Sequence, residues 1–310
     1  MQTRASRVAA VTDAASGDTV RIAWRPIDER GWPGWMWHAC DTWIGDHRVF
    51  ARISPEGDEG RPPLVMLHGA VVAGDYFGPI AWRLDNPCRV YIPDLPGFGR
   101  SAASHILTLP EQVDVLDRWM KVHQVSGAVV VANSTGCQVA TMLATRHPDR
   151  VSRLVLVAPT MDPSIRGLLG LMWRGLLDIP RERQRLWTIW LSDLWASGVV
   201  RAIRCVTDAI RDDQAGRLPR LRQPTICVGG ERDPICPPRW VESLASCLPD
   251  AKTVILPGAP HAMNFSAPDA LADVIRSMMD NTGSNESWQK STPGLARQEP
   301  AIDGVILEAR

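Results

Sequence analysis

Ala-Val-Val-Val-Ala-Asn-Ser-Thr-Gly-Cys-Gln, residues 128–138, carries an apolar run into a single serine hydroxyl and then into a helical pattern. The run ending at Ala132 reads as a buried strand, and the helical pattern starts just past Gly136. Ser134 stands between them, two residues from Ala132 on one side and two from Gly136 on the other. Strand, sharp turn and helix in that order form a nucleophile elbow, which pushes the serine side chain out at the top of a sheet. Small neighbours are needed because the turn brings the two backbones close together. The start of the following helix supplies N–H groups and a positive dipole end, both suited to an oxyanion. Ala132 stands where glycine is commoner in such turns, and it is small enough to fit. The stretch alone also fits a buried strand running into a Ser/Thr helix cap, so its company decides.

That company is an alternation of apolar runs and helical segments. Leu64-Val65-Met66-Leu67 runs into His68-Gly69, and Arg89-Val90-Tyr91-Ile92 runs into Asp94-Leu95-Pro96-Gly97-Phe98-Gly99. Residues 38–53 hold two strand-like runs around Gly45-Asp46, a hairpin signal. Thr108 and Glu111 form a capping box ahead of Val113, Leu116 and Met120 at helical spacing. Further strands are expected at 154–157, 225–228 and 253–256. A last helix opens near Ser266 and places Leu271, Val274, Ile275 and Met278 on one face. The pattern implies an α/β fold on a mostly parallel, doubly wound sheet.

Between about 162 and 222 the alternation breaks. This stretch shows helical spacing in Trp187, Trp190, Leu191, Leu194 and Trp195, and it holds four of the 13 tryptophans. It reads as a helical cap inserted between two sheet strands. Most of these tryptophans are expected to serve as core packing. A cap must still rest over something, and ligands bind at the carboxyl edge of a parallel sheet. Trp173, Trp187 and Trp190 are therefore the candidate pocket residues. The expected organisation is a weakly ordered arm (1–34), a first core part (35–161), the cap (162–222), a second core part (223–281) and a flexible tail (282–310).

Lys+Arg and Asp+Glu both number 34, a formal net charge of zero. That balance argues against nucleic acid or an anionic membrane as the main partner and leaves a small molecule. Seven cysteines, an odd number without a CxxC pair, suggest neither a disulfide framework nor a zinc site. The apolar run 8–11 is too short for a secretion signal, and no run approaches transmembrane length. A cytoplasmic location is expected, with neither cofactor nor metal. Oligomeric state is not legible.

A serine hydroxyl is a poor nucleophile until a base takes its proton, and a histidine base needs an acid to fix its tautomer. In elbow-bearing folds the chain order is serine, acid, histidine. Asp233 follows the 225–228 run in Gly229-Gly230-Glu231-Arg232-Asp233-Pro234, and His261 follows the 253–256 run in Gly258-Ala259-Pro260-His261. Asp162 and Glu231 are rivals for the acid, ranked behind Asp233. His68, beside Gly69, reads as a loop-former rather than the base. An oxyanion hole needs two N–H donors, and position suggests the backbone amides of Thr135 and Ala70.

Leu67-His68-Gly69, Asp94-Leu95-Pro96-Gly97-Phe98-Gly99-Arg100-Ser101, Ala132-Asn133-Ser134-Thr135-Gly136, Gly230-Glu231-Arg232-Asp233 and Pro260-His261 resemble, in order, the signatures of the α/β-hydrolase superfamily. The resemblance implies an eight-stranded sheet, a cap after the sixth strand and a cofactor-independent triad of Ser134, Asp233 and His261. The expected chemistry is acyl transfer from a small to medium apolar ester to water, through an acyl-enzyme on Ser134. Asn133-Ser134 also resembles elbows of carbon–carbon bond hydrolases of ring-cleavage products, although Ala-Met-Asn-Phe after His261 lacks a tryptophan often found there. Residues 162–222 carry eleven arginines against seven acids, which leaves a carboxylate-bearing substrate open. A third reading is a non-catalytic small-molecule receptor on the same fold.

Overall fold

The strands that flank the elbow are buried on both faces, and this is why they read as unbroken apolar runs rather than as alternation. The computed structural model describes residues 7–12, 19–27, 37–58, 60–84, 88–160, 162–165 and 167–280. Four strands come first: β1 (Arg7–Thr12), β2 (Thr19–Pro26), β3 (His38–Ile44) and β4 (His47–Ile53). Strands and helices then alternate through β5 (Leu64–Leu67), α1 (Gly78–Ala81), β6 (Val90–Pro93), α2 (Leu109–Val122), β7 (Ala128–Asn133), α3 (Gly136–Arg146) and β8 (Val151–Val157). Four helices follow: α4 (Gly167–Asp178), α5 (Gln184–Ser197), α6 (Val199–Arg211) and α7 (Gln214–Arg217). The chain closes with β9 (Thr225–Gly230), α8 (Pro238–Ser246), β10 (Ala251–Leu256), α9 (Met263–Ser266) and α10 (Pro268–Asp280).

All ten strands join one sheet in the order β1-β2-β3-β4-β6-β5-β7-β8-β9-β10. From β6 to β10 the neighbours are parallel, while β1 to β4 and the β4–β6 pair are antiparallel. Among the described residues the sheet therefore has ten strands where the resemblance implies eight. The two strands β1 and β2 lie inside the stretch 1–34 that was expected to be a weakly ordered arm. β2 runs its backbone along β3 from Ile22↔Thr42 to Pro26↔His38, and Val20 and Ile22 are buried. β1 pairs with β2 at the sheet's edge and leaves Val8 64% exposed, so no burial pattern marks it in the sequence. The expected tail at 282–310 lies outside the described residues.

The parallel half positions the chemistry. β7 lies between β5 and β8, and every residue of β5 and β7 is buried. Parallel pairing carries the carboxyl ends of β5, β7, β9 and β10 to one edge, where the loops starting at His68, Ser134, Glu231 and Pro257 emerge. Arg52 of β4 is fully buried, and its guanidinium meets Asp94 at 2.7 Å and Asp75 at 2.7 Å. Burial disfavours that cation, but the two carboxylates outweigh it and raise its pKa. Asp94 also accepts the amides of Gly74 (2.7 Å) and Arg100 (2.9 Å), so one buried carboxylate ties β4 to two loops at the active edge.

Candidate active site

Ser134 sits at φ 54°, a left-handed conformation that a non-glycine residue rarely adopts. Its amide donates to Val157 O (2.9 Å), and its carbonyl accepts from Cys137 N (3.0 Å), which locks the turn between β7 and α3. A Cβ at Gly136 would fall 2.5 Å from His68 O and 2.7 Å from Leu67 O, so only glycine fits there. A Cβ at Gly69 would fall 2.9 Å from Ser134 Cβ. Ala132, by contrast, is accommodated as a fully buried side chain.

His261 Nε2 lies 3.2 Å from Ser134 Oγ, and His261 Nδ1 lies 2.8 Å from Asp233 Oδ2. The other Asp233 oxygen accepts the amides of Ile235 (2.8 Å) and Cys236 (2.9 Å), which fixes the carboxylate plane. With Nδ1–H donated to Asp233, Nε2 is left to accept the serine proton. Burial works against the imidazolium; the charge and hydrogen bond of Asp233, aided by Asp178 and Glu182, outweigh it and raise His261 to about 9.

The rivals lie elsewhere. Asp162 accepts from Ser164 N (2.8 Å) and stands 4.0 Å from Arg174. Glu231 accepts from Gly258 N at 2.6 Å. His68 is buried, with Nδ1 on Gly69 O (2.8 Å) and Nε2 accepting from Leu95 N (2.8 Å), so it braces the loop after β5.

Of the two expected oxyanion donors, the Thr135 N–H meets no protein acceptor among the described residues. The Ala70 N–H donates to the Thr135 hydroxyl at 2.7 Å. The two groups are thus brought together.

Beside the serine lies a cavity of about 530 Å³ with a mostly apolar lining. Trp187 and Trp190 both line it, with ring centroids 6.0 Å apart and planes at 90°. Trp173 does not: it is 63% exposed. On α4 the cavity side is taken by Leu171, Met172, Gly175 and Leu176, and Trp173 projects off that face. No arginine stands among the described lining residues; the carboxylic acids and imidazole base there are Asp178, Glu182 and His261. The described arginines of the helical stretch therefore do not line the cavity. Among the described residues no group of three or more His, Cys, Asp or Glu could hold a metal ion.

Sequence reasoning missed Asp178 and Glu182. Asp178 Oδ1 accepts the His261 amide at 3.4 Å, while Glu182 accepts the Ala262 amide at 2.5 Å and the Ser266 hydroxyl at 2.5 Å. Burial raises Asp178 to about 7, against the opposing pull of His261. Asp193 plays a similar part at the other loop, accepting from Ala73 N at 2.8 Å, and burial raises it to about 7. The one available signal was an acid pair at four-residue spacing inside an arginine-rich stretch, and nothing in it points to residue 261.

Comparison with known proteins follows the same lines. Residues 64–274 match the profile described as the alpha/beta hydrolase family. A pimeloyl-[acyl-carrier protein] methyl ester esterase of Vibrio cholerae is 34% identical over 128 residues, 41% of this chain and 46% of that protein. The enzyme of the same name from Vibrio vulnificus is 26% identical over 242 residues, 70% of this chain and 93% of its own length. Among solved structures, a thermophilic esterase from Thermogutta terrifontis superposes with a TM-score of 0.63 at 22% identity, covering 88% of this chain and 98% of that one.

Proposed function

Given that the chain belongs to the alpha/beta hydrolase family, we propose that it hydrolyses carboxylic esters through an acyl-enzyme on Ser134. The observation that carries this reading is the unbroken line from Asp233 through His261 to Ser134, at 2.8 and 3.2 Å. His261 Nε2 takes the hydroxyl proton as Ser134 Oγ attacks the ester carbonyl. The oxyanion takes up the Thr135 N–H and, as the Thr135 hydroxyl gives way, the Ala70 N–H. His261 passes its proton to the leaving alcohol. Water, deprotonated by the same imidazole, then releases the acid and restores Ser134. Asp233 holds the imidazole in place and stabilises its cation.

The apolar cavity supports an uncharged acyl part. An ester of small alcohol is supported by the methyl ester named in the Vibrio proteins. The carbon–carbon bond reading needs a cation for the substrate carboxylate, and the cavity lining offers two acids instead.

A panel of nitrophenyl esters of increasing acyl length, with a fluorophosphonate probe alongside, tests the reading. Turnover and labelling are expected, both lost in Ser134→Ala, with kcat falling by several orders of magnitude. A folded protein that is neither labelled nor active on any ester would overturn it and leave the receptor reading. Faster cleavage of a ring-fission dienoate than of any ester would assign the carbon–carbon chemistry.

A further inference from the structure

Large apolar side chains crowd the outer surface of the helices between β8 and β9. Leu169, Trp173 and Leu177 form one stripe on α4, exposed at 80%, 63% and 40%. Trp195 (90%) and Val200 (73%) flank the Gly198 corner where α5 meets α6. Asp178 is the one buried residue of leucine-rich α4. Elsewhere among the described residues only Val8, Val11, Trp82 and Ile106 are large apolar groups left exposed. The patch runs into the cavity, because Met172, Leu176, Val199 and Ile203 are exposed and also line it. Single exposed apolar groups are ordinary, whereas a cluster rimmed by polar groups marks an interaction surface.

The exposed charges of the same stretch are lopsided. Arg181, Arg183, Arg185, Arg204, Arg211 and Arg220 are exposed, against Asp213 as the one exposed acid among the described residues of 162–222. Arg204 pairs with Asp208. The missing acids are turned inward: Asp178, Glu182 and Asp193 hold amides of the loops at His261, Ala262 and Ala73. Ion pairs within the stretch and amides of the core thus consume its negative charge and leave its exposed charge basic.

We propose that this face docks on an anionic lipid surface and that the ester substrate enters the cavity from it. A second copy of this chain is disfavoured as the occupant, since a twofold contact would set arginines against arginines. Exposed tryptophan and leucine beside arginine suit the boundary between headgroups and acyl chains. No described helix is long and apolar enough to cross a membrane, so the contact is peripheral. A chain leaving the lipid would pass Met172, Leu176, Val199 and Ile203 on its way to Ser134 without crossing water. Substrate entry rests on the ester reading above; docking does not.

Sedimentation of the full chain with phosphatidylglycerol–phosphatidylcholine vesicles, beside phosphatidylcholine alone, tests this. Retention on the anionic vesicles is expected, and added salt weakens it. The triple variant Leu169→Ser, Trp195→Ser, Val200→Ser is expected to lose at least about tenfold in vesicle affinity while cleaving a water-soluble nitrophenyl ester as before. Ser134→Ala is expected to dock normally. The proposal is overturned by any of four results: no retention on anionic vesicles, equal retention on neutral ones, binding that survives the triple variant, or a dimer in solution that the triple variant breaks. Binding to soluble polyglutamate without vesicle binding would assign an acidic protein instead and overturn it as well. An inactive protein that still docks would sink the ester reading alone, and an active one that does not dock would sink this proposal alone.

Discussion

His261 is surrounded by carboxylates, and that decides its pH behaviour. Asp233 meets its Nδ1, while Asp178 and Glu182 face the backbone on either side of it. In the proposed mechanism the base must be neutral, so ester turnover should rise with pH through a group near 9. Asp178→Asn removes one of the charges favouring the imidazolium and should move this limb to lower pH, on the order of one unit. A pH–rate profile of the variant checks it; an unmoved limb would show that Asp178 only supports the loop. At the elbow, Gly136→Ala forces a methyl group against two backbone carbonyls and should cost about 1–3 kcal/mol in urea unfolding. Ser134, Asp233 and His261 were legible because each follows an apolar run by a few residues and the chain order matches. Asp178 and Glu182 were not, because they act through backbone amides far away in sequence, and an amide carries no residue identity.

Elements were legible in proportion to their burial. The runs at 64–67 and 225–228 correspond to β5 and the start of β9, and the capping box of Thr108 and Glu111 stands at the head of α2. β1 was missed because backbone pairing at a sheet edge needs no apolar pattern, and β2 because its alternation of buried Val20 and Ile22 with exposed Thr19 and Arg21 is only four residues long. Trp173 was misplaced because helical spacing shows which residues share a face but not which face meets the cavity. Thr108→Ala should cost about 1 kcal/mol by removing the hydroxyl half of the capping box at the head of α2. A larger loss is expected where β4 meets the loop after β6. Asp94→Asn leaves Arg52 buried with half its compensation and should cost about 3–5 kcal/mol by urea unfolding. A loss under 1 kcal/mol would mean that Asp75 suffices as counter-charge.

At the scale of the whole molecule, a net charge of zero concealed a local division, in which the helices at 167–217 turn Asp178, Glu182 and Asp193 to the loops beneath and leave Arg181, Arg183, Arg185, Arg204 and Arg211 exposed. A sum over the sequence carries no information about where each sign lies. Stability and activity should also part company as pH rises. The folded pKa of His261, about 9, lies above the ordinary 6.5. The native state then holds that proton more tightly than the unfolded chain, so the stabilisation is full below about 6.5 and lost as pH climbs through 9. Asp193, raised to about 7, acts in the same sense at the lower end. Tm should fall between pH 6.5 and 9, the range in which turnover grows, and His261→Gln should flatten the slope. The helices at 167–217 leave from β8 and return to β9, which are neighbours in the sheet. Such an excursion can in principle be exchanged as a cassette without re-threading the scaffold. A graft from a relative would bring new substrate preferences, yet it would also remove three carboxylates that grip the loops beneath. Any transplant must therefore carry its own clasps for those loops, or recipient and donor will meet as strangers at His261.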